Sequence, residues 1–136
     1  MYALAVSDHI MIAHSFRGAI FGPAQKLHGA TYGVEVEFRR TELDENGLVC
    51  DIGLALQVLR EVLAELNYRN LDEVPELKNC NTTTEFMAGE IFRRLKSRVG
   101  RGDIGPGTAG RLHSMKVLLR ESPVAWASFE GSLTHP

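Results

Sequence analysis

The chain has 136 residues, of which 44% are hydrophobic and 24% charged, as expected for one soluble domain able to bury a single core. A formal net charge of -2 and the lack of a basic stripe argue against a nucleic-acid partner. No apolar run approaches the roughly 18 residues of a membrane span, and no signal-peptide pattern opens the chain, so a cytoplasmic protein with no membrane partner is expected.

Residues 2–14 read as a strand of small and apolar residues ending at His14. A loop with Gly18, Gly22 and Pro23 follows, from Ser15 to Gln25. Between Thr31 and Arg39, Tyr32, Val34, Val36 and Phe38 alternate with Thr31, Glu35, Glu37 and Arg39, which predicts a half-buried antiparallel strand. Asp44-Glu45-Asn46-Gly47 carries the Asn-Gly turn signal, and Leu48-Val49-Cys50 is expected to return as a strand. Asp51 stands where an N-cap belongs, ahead of Ile52, Leu56, Leu59, Leu63 and Leu66 at helical spacing. A loop with Pro75 leads to Thr82-Thr83-Thr84-Glu85, a capping box opening a second helix with Phe86, Ile91, Phe92, Leu95 and Val99 inward. Residues 100–112 are rich in glycine and are expected to form a mobile loop. Met115 to Glu121 predicts a strand stopped by Pro123, and Val124 to Phe129 a short final strand.

With no repeat or domain boundary, residues 1–136 are expected to form one domain of order β-β-β-α-α-β-β. Two helices on one face of an antiparallel sheet give an α+β sandwich, whose other face must be solvated or covered by another subunit. Cys50 and Cys80 are too few for a disulfide framework and lack metal-pair spacing, so reduced thiols are expected. Gly100-Arg101-Gly102-Asp103-Ile104-Gly105 spells G-x-G-x-x-G. It follows a helix and precedes a strand, the reverse of a dinucleotide site, and reads as a linker.

His14 and His28 each sit at a strand end and are candidate zinc ligands, since neutral imidazole is a common donor. Spacing alone does not make them a metal site and favours hydrogen-bonded or exposed histidines, and His9, His113 and His135 carry less signal. Ile12-Ala13-His14, Leu27-His28-Gly29, Gly47 to Asp51, Asn81-Thr82-Thr83-Thr84-Glu85 and Leu119-Arg120-Glu121 fall in the order of one family's landmarks. From about residue 2 to 122 the chain resembles the 6-pyruvoyl- and 6-carboxy-tetrahydropterin synthases. The resemblance implies the tunnelling fold, a four-stranded antiparallel sheet with two helices on one face. It also implies homo-oligomers (a trimer closing the sheets into a barrel, or a hexamer of two trimers) with active sites between subunits.

In that family three histidines hold zinc, which polarises hydroxyls of the pterin side chain. His14 and His28 match two of them, and Ala30 stands at the third, so zinc is an expectation with one ligand missing. The family's base is a cysteine activated by a histidine and an aspartate; Ala24 aligns with the cysteine and Asn67-Tyr68 with the Asp-His pair. None of these replacements restores that proton-transfer set. The pterin-recognition residues are retained: Glu121 matches the carboxylate that grips the guanidine-like edge of the pterin, and Thr83, Thr84 and Glu85 match the lining of that pocket. Helix capping is the alternative role of the threonine run, and a solvated strand end that of Glu121.

A retained pocket without its original mechanism suggests two functions. One is a lyase acting on the side chain of a reduced pterin, dihydroneopterin or its phosphate, by a retro-aldol cleavage resembling that of the dihydroneopterin aldolases. Those enzymes use a lysine and a tyrosine, for which Lys26 and Tyr68 are the candidates here, with His14 and His28 as orienting groups or partial metal ligands. The other is a pterin- or purine-binding protein without catalysis. Residual synthase activity through a substitute base is a third reading.

Overall fold

The alternating segment lies at the centre of the sheet in a computed structural model that describes residues 1–134. In chain order the elements are β1 (Tyr2–His14), β2 (His28–Arg40), α1 (Ile52–Ala64), β3 (Arg69–Asn70), α2 (Thr84–Gly100), β4 (Ser114–Ser122) and β5 (Ala125–Ser132). The sheet order is β3-β1-β2-β4-β5, with the four long strands antiparallel and the two-residue β3 parallel to β1 at Ile12 and Ala13. The expected α+β architecture is therefore present, with one short strand added at an edge. No helix among the described residues is long and apolar enough to cross a membrane.

Tyr32, Val34, Val36 and Phe38 of β2 are buried, as are Val6, Ile10, Ile12 and His14 of β1 and Met115, Val117 and Leu119 of β4. All point to the face covered by α1, which packs on β1, and by α2, which packs on β4 and β5. Phe129 of β5 joins this layer, its ring 4.8 Å from that of Phe92, whereas Trp126 lies on the opposite face with Arg120 over its ring at 4.5 Å. The C-terminal aromatics thus belong to two sides of one strand.

Three sequence expectations need correction. Leu48-Val49-Cys50 forms no strand. Both edges of β2 near Arg39 are already taken, by Ala3 of β1 and Ser114 of β4, so no ladder is free for it. Instead Asp44 Oδ1 accepts from the amides of Asn46 and Leu48, and Val49 and Cys50 drop into the core just before Asp51. Asp51 does cap α1, accepting from the Leu54 amide at 3.0 Å. The buried stripe of α1 is rotated from the expected one. It runs through Ala55, Val58, Leu59, Val62 and Leu63, with Leu66 buried just beyond the helix, and leaves Ile52 53% exposed and Leu56 exposed. Finally, the cap of α2 is Thr83, which accepts from the Phe86 amide at 3.1 Å, and not Thr82.

Gly100 ends α2 and residues 101–112 follow it mostly as turns, with the helix ahead and β4 behind, so the glycine pattern lacks the strand-to-helix context of a phosphate loop. Ile104 and Leu112 are buried, and the Asp103 carboxylate pairs with Arg98 and Arg101.

Candidate functional site

The β1–β2 register ends on His14↔His28, which places the two imidazoles side by side on the helix-facing side, ring centroids 4.6 Å apart. The loop between them folds back so that the Phe16 amide reaches the Ala24 carbonyl at 3.1 Å. Phe16 then lies 4.5 Å from the His14 ring and 5.4 Å from that of His28, with Phe21 packed behind it. Two clamps hold the base of this loop to the α1–α2 connection. Asp72 accepts from the Ser15 hydroxyl at 2.5 Å and the Ser15 amide at 3.2 Å. Asn81 accepts from the Arg17 amide at 2.8 Å and donates to the Arg17 carbonyl at 3.0 Å.

Each imidazole is oriented by one nitrogen. His28 Nδ1 lies 2.8 Å from the Lys26 carbonyl, which can only accept, so this nitrogen carries the proton and a neutral His28 presents the lone pair of Nε2. His14 is 2% exposed, and its Nδ1 lies 3.0 Å from Thr82 Oγ1. Burial, and then the neighbouring His28, push His14 below the ordinary histidine value, while the hydrogen bond with Thr82, then Asp72 and Glu121, pull the other way. The threonine run is thus divided among tasks: Thr82 orients His14, Thr83 caps α2, and Thr84 turns outward to Glu121.

Glu121 occupies a β-bulge. Arg120 pairs with Trp126 and Ser122 with Ala125, leaving Glu121 as the extra residue without a partner on β5. A bulge frees one residue from the ladder and re-aims its side chain. Here the carboxylate turns toward the start of α2, where Thr84 Oγ1 donates to Oε2 at 3.3 Å. Thr84, Glu85, Glu121, Ala125, Trp126 and Ala127 line a recess of about 280 Å³. Beneath it the Tyr32 phenol is buried, which raises its pKa above the ordinary tyrosine value; a hydrogen bond with Thr84 works against that shift, and Glu121 and Glu85 add to it. Tyr32 was not among the residues that the sequence singles out. A phenol inside an otherwise purely hydrocarbon buried stripe is the signal for it, because a buried hydroxyl has to find a partner.

Thr83, Thr84, Glu85 and Glu121 are therefore brought to one place, and His14 and His28 to another on the same face of the sheet. Tyr68 and Lys26 join neither cluster among the described residues. Tyr68 is 80% exposed at φ +60°, with its amide donating to the Met11 carbonyl at 2.7 Å and its phenol in no hydrogen bond among the described residues. Asn67 spends its carboxamide oxygen on the Met11 amide at 2.9 Å. Lys26 touches His28 only through its backbone carbonyl, and its side chain is exposed.

The donor set does not fit a catalytic zinc, which takes three protein ligands and an open position. His14 and His28 supply two nitrogens, and no group of three or more histidine, cysteine or acidic side chains able to hold a metal occurs among the described residues. His9 points to the opposite face of β1, and His113 sits at the other end of the sheet, its amide on the Arg39 carbonyl. The Asp72 carboxylate is taken by Ser15, and His135 lies outside the described residues.

The sequence profile of the 6-pyruvoyl tetrahydropterin synthases matches residues 3–132. The chain belongs to that family. Its fold is similar to the Caenorhabditis elegans 6-pyruvoyl tetrahydropterin synthase, with a TM-score of 0.80 and 24% identity over 96% of each chain. It is also similar to the Plasmodium vivax enzyme, with a TM-score of 0.73 and 19% identity, and to the Plasmodium falciparum enzyme, at 0.71 and 16%; both matches cover 96% of this chain and 98% of the other. No curated protein sequence matches the chain. At these identities the structural likeness speaks for the fold, and the profile carries the family. The matched region reaches ten residues beyond position 122 and takes in β5.

Proposed function

We propose that this family member binds a reduced pterin, dihydroneopterin or its phosphate, in the recess at the start of α2, with Glu121 as the anchor. The observation that supports this is the bulge at Glu121, which aims a carboxylate into a recess between the start of α2 and β5. A pterin offers two adjacent N–H donors on its pyrimidine edge, and an ionised carboxylate accepts both in a charge-assisted pair. Thr84 and Glu85 line the same recess, while Thr83 contributes through the cap that fixes them. At about 280 Å³ the recess is small for a ligand pocket, which suits a site completed by a neighbouring copy in a homo-oligomer, a trimer or hexamer in the cytoplasm.

The reaction proposed is lyase chemistry on the side chain. A base removes the proton of the 2′-hydroxyl, the C1′–C2′ bond breaks with its electron pair left on C1′, and an acid returns a proton there. The products are a two-carbon aldehyde and 6-hydroxymethyl-dihydropterin. Tyr68 and Lys26 are the proton-transfer candidates, and their exposure suits side chains that act across an interface between copies. The separation of these two residues from Glu121 within one chain also favours a second reading, a pterin- or purine-binding protein without turnover.

The test is calorimetric titration with dihydroneopterin and its phosphate, alongside chromatography of the products. Wild type should bind, and Glu121→Gln should weaken binding by about 10- to 100-fold, as expected for losing a charge-assisted pair. Unchanged affinity in Glu121→Gln removes the anchor and the reading with it. Binding without product over long incubation selects the second reading. Product formation that survives in both Tyr68→Phe and Lys26→Ala leaves the lyase but ends the assignment of those two residues.

A further inference from the structure

We infer that the His14–His28 pair is a bare imidazole site from which zinc is excluded, and that the single residue Ala30 is what makes it so. The geometry of the pair is independent of which ligand Glu121 holds. Residues two apart on a strand share a face, so the Ala30 methyl points the same way as His28. Ala30 pairs with Ile12, itself two residues before His14, so positions 14, 28 and 30 form a triangle across two adjacent strands. Diagonal neighbours of this kind lie about 7–8 Å apart, within reach of long side chains. An imidazole at position 30 would therefore converge with the Nε2 atoms of the other two. A methyl group has no lone pair, and Ala30 instead packs against the core.

The surroundings fit that reading. Phe16 lies against both imidazoles, its ring 4.5 Å from that of His14 and 5.4 Å from that of His28, so the pair sits beside an apolar wall. The nearest carboxylates are not spare. Asp72 holds Ser15 by two hydrogen bonds, and Glu121 accepts from Thr84. The pair thus offers two imidazole nitrogens beside an aromatic wall, with no Lewis acid to polarise a hydroxyl.

Metal content of untagged protein, purified whole and then exposed to excess Zn2+ and desalted, tests this directly. Wild type should retain well below one zinc per chain, and Ala30→His about one, as a three-histidine site would. With Co2+, Ala30→His should develop the intense visible bands of four-coordinate cobalt, and wild type should not. The bands should vanish in Ala30→His/His28→Ala. Ala30→Cys, closer in volume to alanine, gives the same comparison should the histidine variant fail to fold. Wild type that holds one zinc per chain and loses it in His28→Ala overturns the inference. Two folded variants, Ala30→His and Ala30→Cys, that take up no more metal than wild type overturn it as well, because position 30 is then not the missing donor.

Discussion

His14 and His28 face each other across adjacent antiparallel strands, and each is fixed by a different neighbour: His14 by the Thr82 hydroxyl at 3.0 Å, His28 by the Lys26 carbonyl at 2.8 Å. The pair is thus built from four segments, two strand ends, a loop and the residues just ahead of α2. Its orientation depends on one hydroxyl and one backbone carbonyl, neither of which binds a metal in this arrangement.

Thr82→Val tests that dependence. The substitution keeps the shape, deletes the hydroxyl and strands a buried imidazole nitrogen, which costs about 1–3 kcal/mol. Urea unfolding should show the lower midpoint without a change in slope, and unaltered stability would mean that Thr82 does not hold His14.

The two helix caps should behave alike and differently from Thr82. Asp51→Ala and Thr83→Ala each remove one side-chain acceptor from a first-turn amide, at 3.0 Å and 3.1 Å, and should cost about 1 kcal/mol apiece. Thr83→Asn or Thr83→Asp should recover most of that loss in thermal or denaturant unfolding. A Thr82→Ala variant whose loss is likewise recovered by asparagine would restore the cap to position 82.

Cys50 gives the stability curve an alkaline slope. Burial, with Asp51 next in importance, pushes its thiol up to about 11 from 9.0. Above pH 9 the unfolded chain releases this proton while the folded one keeps it, so the native state binds more protons and stability falls as pH rises from 9 to 11. Cys50→Ala should flatten that part of the profile, measured as urea midpoints at pH 8, 9 and 10. The same burial should leave Cys50 unreactive toward iodoacetamide in the native state at pH 8.

Gly131 marks a close approach between β5 and α2. A Cβ there would lie 2.8 Å from the ring tip of Phe92, which is itself buried and packed on Phe129. Gly131→Ala should therefore destabilise by about 1–3 kcal/mol through overpacking. The double variant with Phe92→Leu should cost less than the sum of the two single changes in a mutant cycle. Strict additivity would show that the ring relaxes freely.

The sequence by itself determined the central strand, both helices, the cap at Asp51 and the family. Each of these is written in local periodicity or in the order of short motifs, and neither requires knowing what lies across space. The tertiary structure decided the rest. Leu48 to Cys50 had strand-like residues but no free ladder, since β1 and β4 already occupy both edges of β2. The inward stripe of α1 had to choose among apolar residues on nearly every side, and only the sheet beneath it selected Val58 and Val62 over Ile52 and Leu56. Three adjacent threonines read alike in one dimension; in space one meets an imidazole, one an amide and one a carboxylate. Hydrogen-bond partners and strand edges belong to pairs of segments distant in the chain, so no single stretch of sequence carries them.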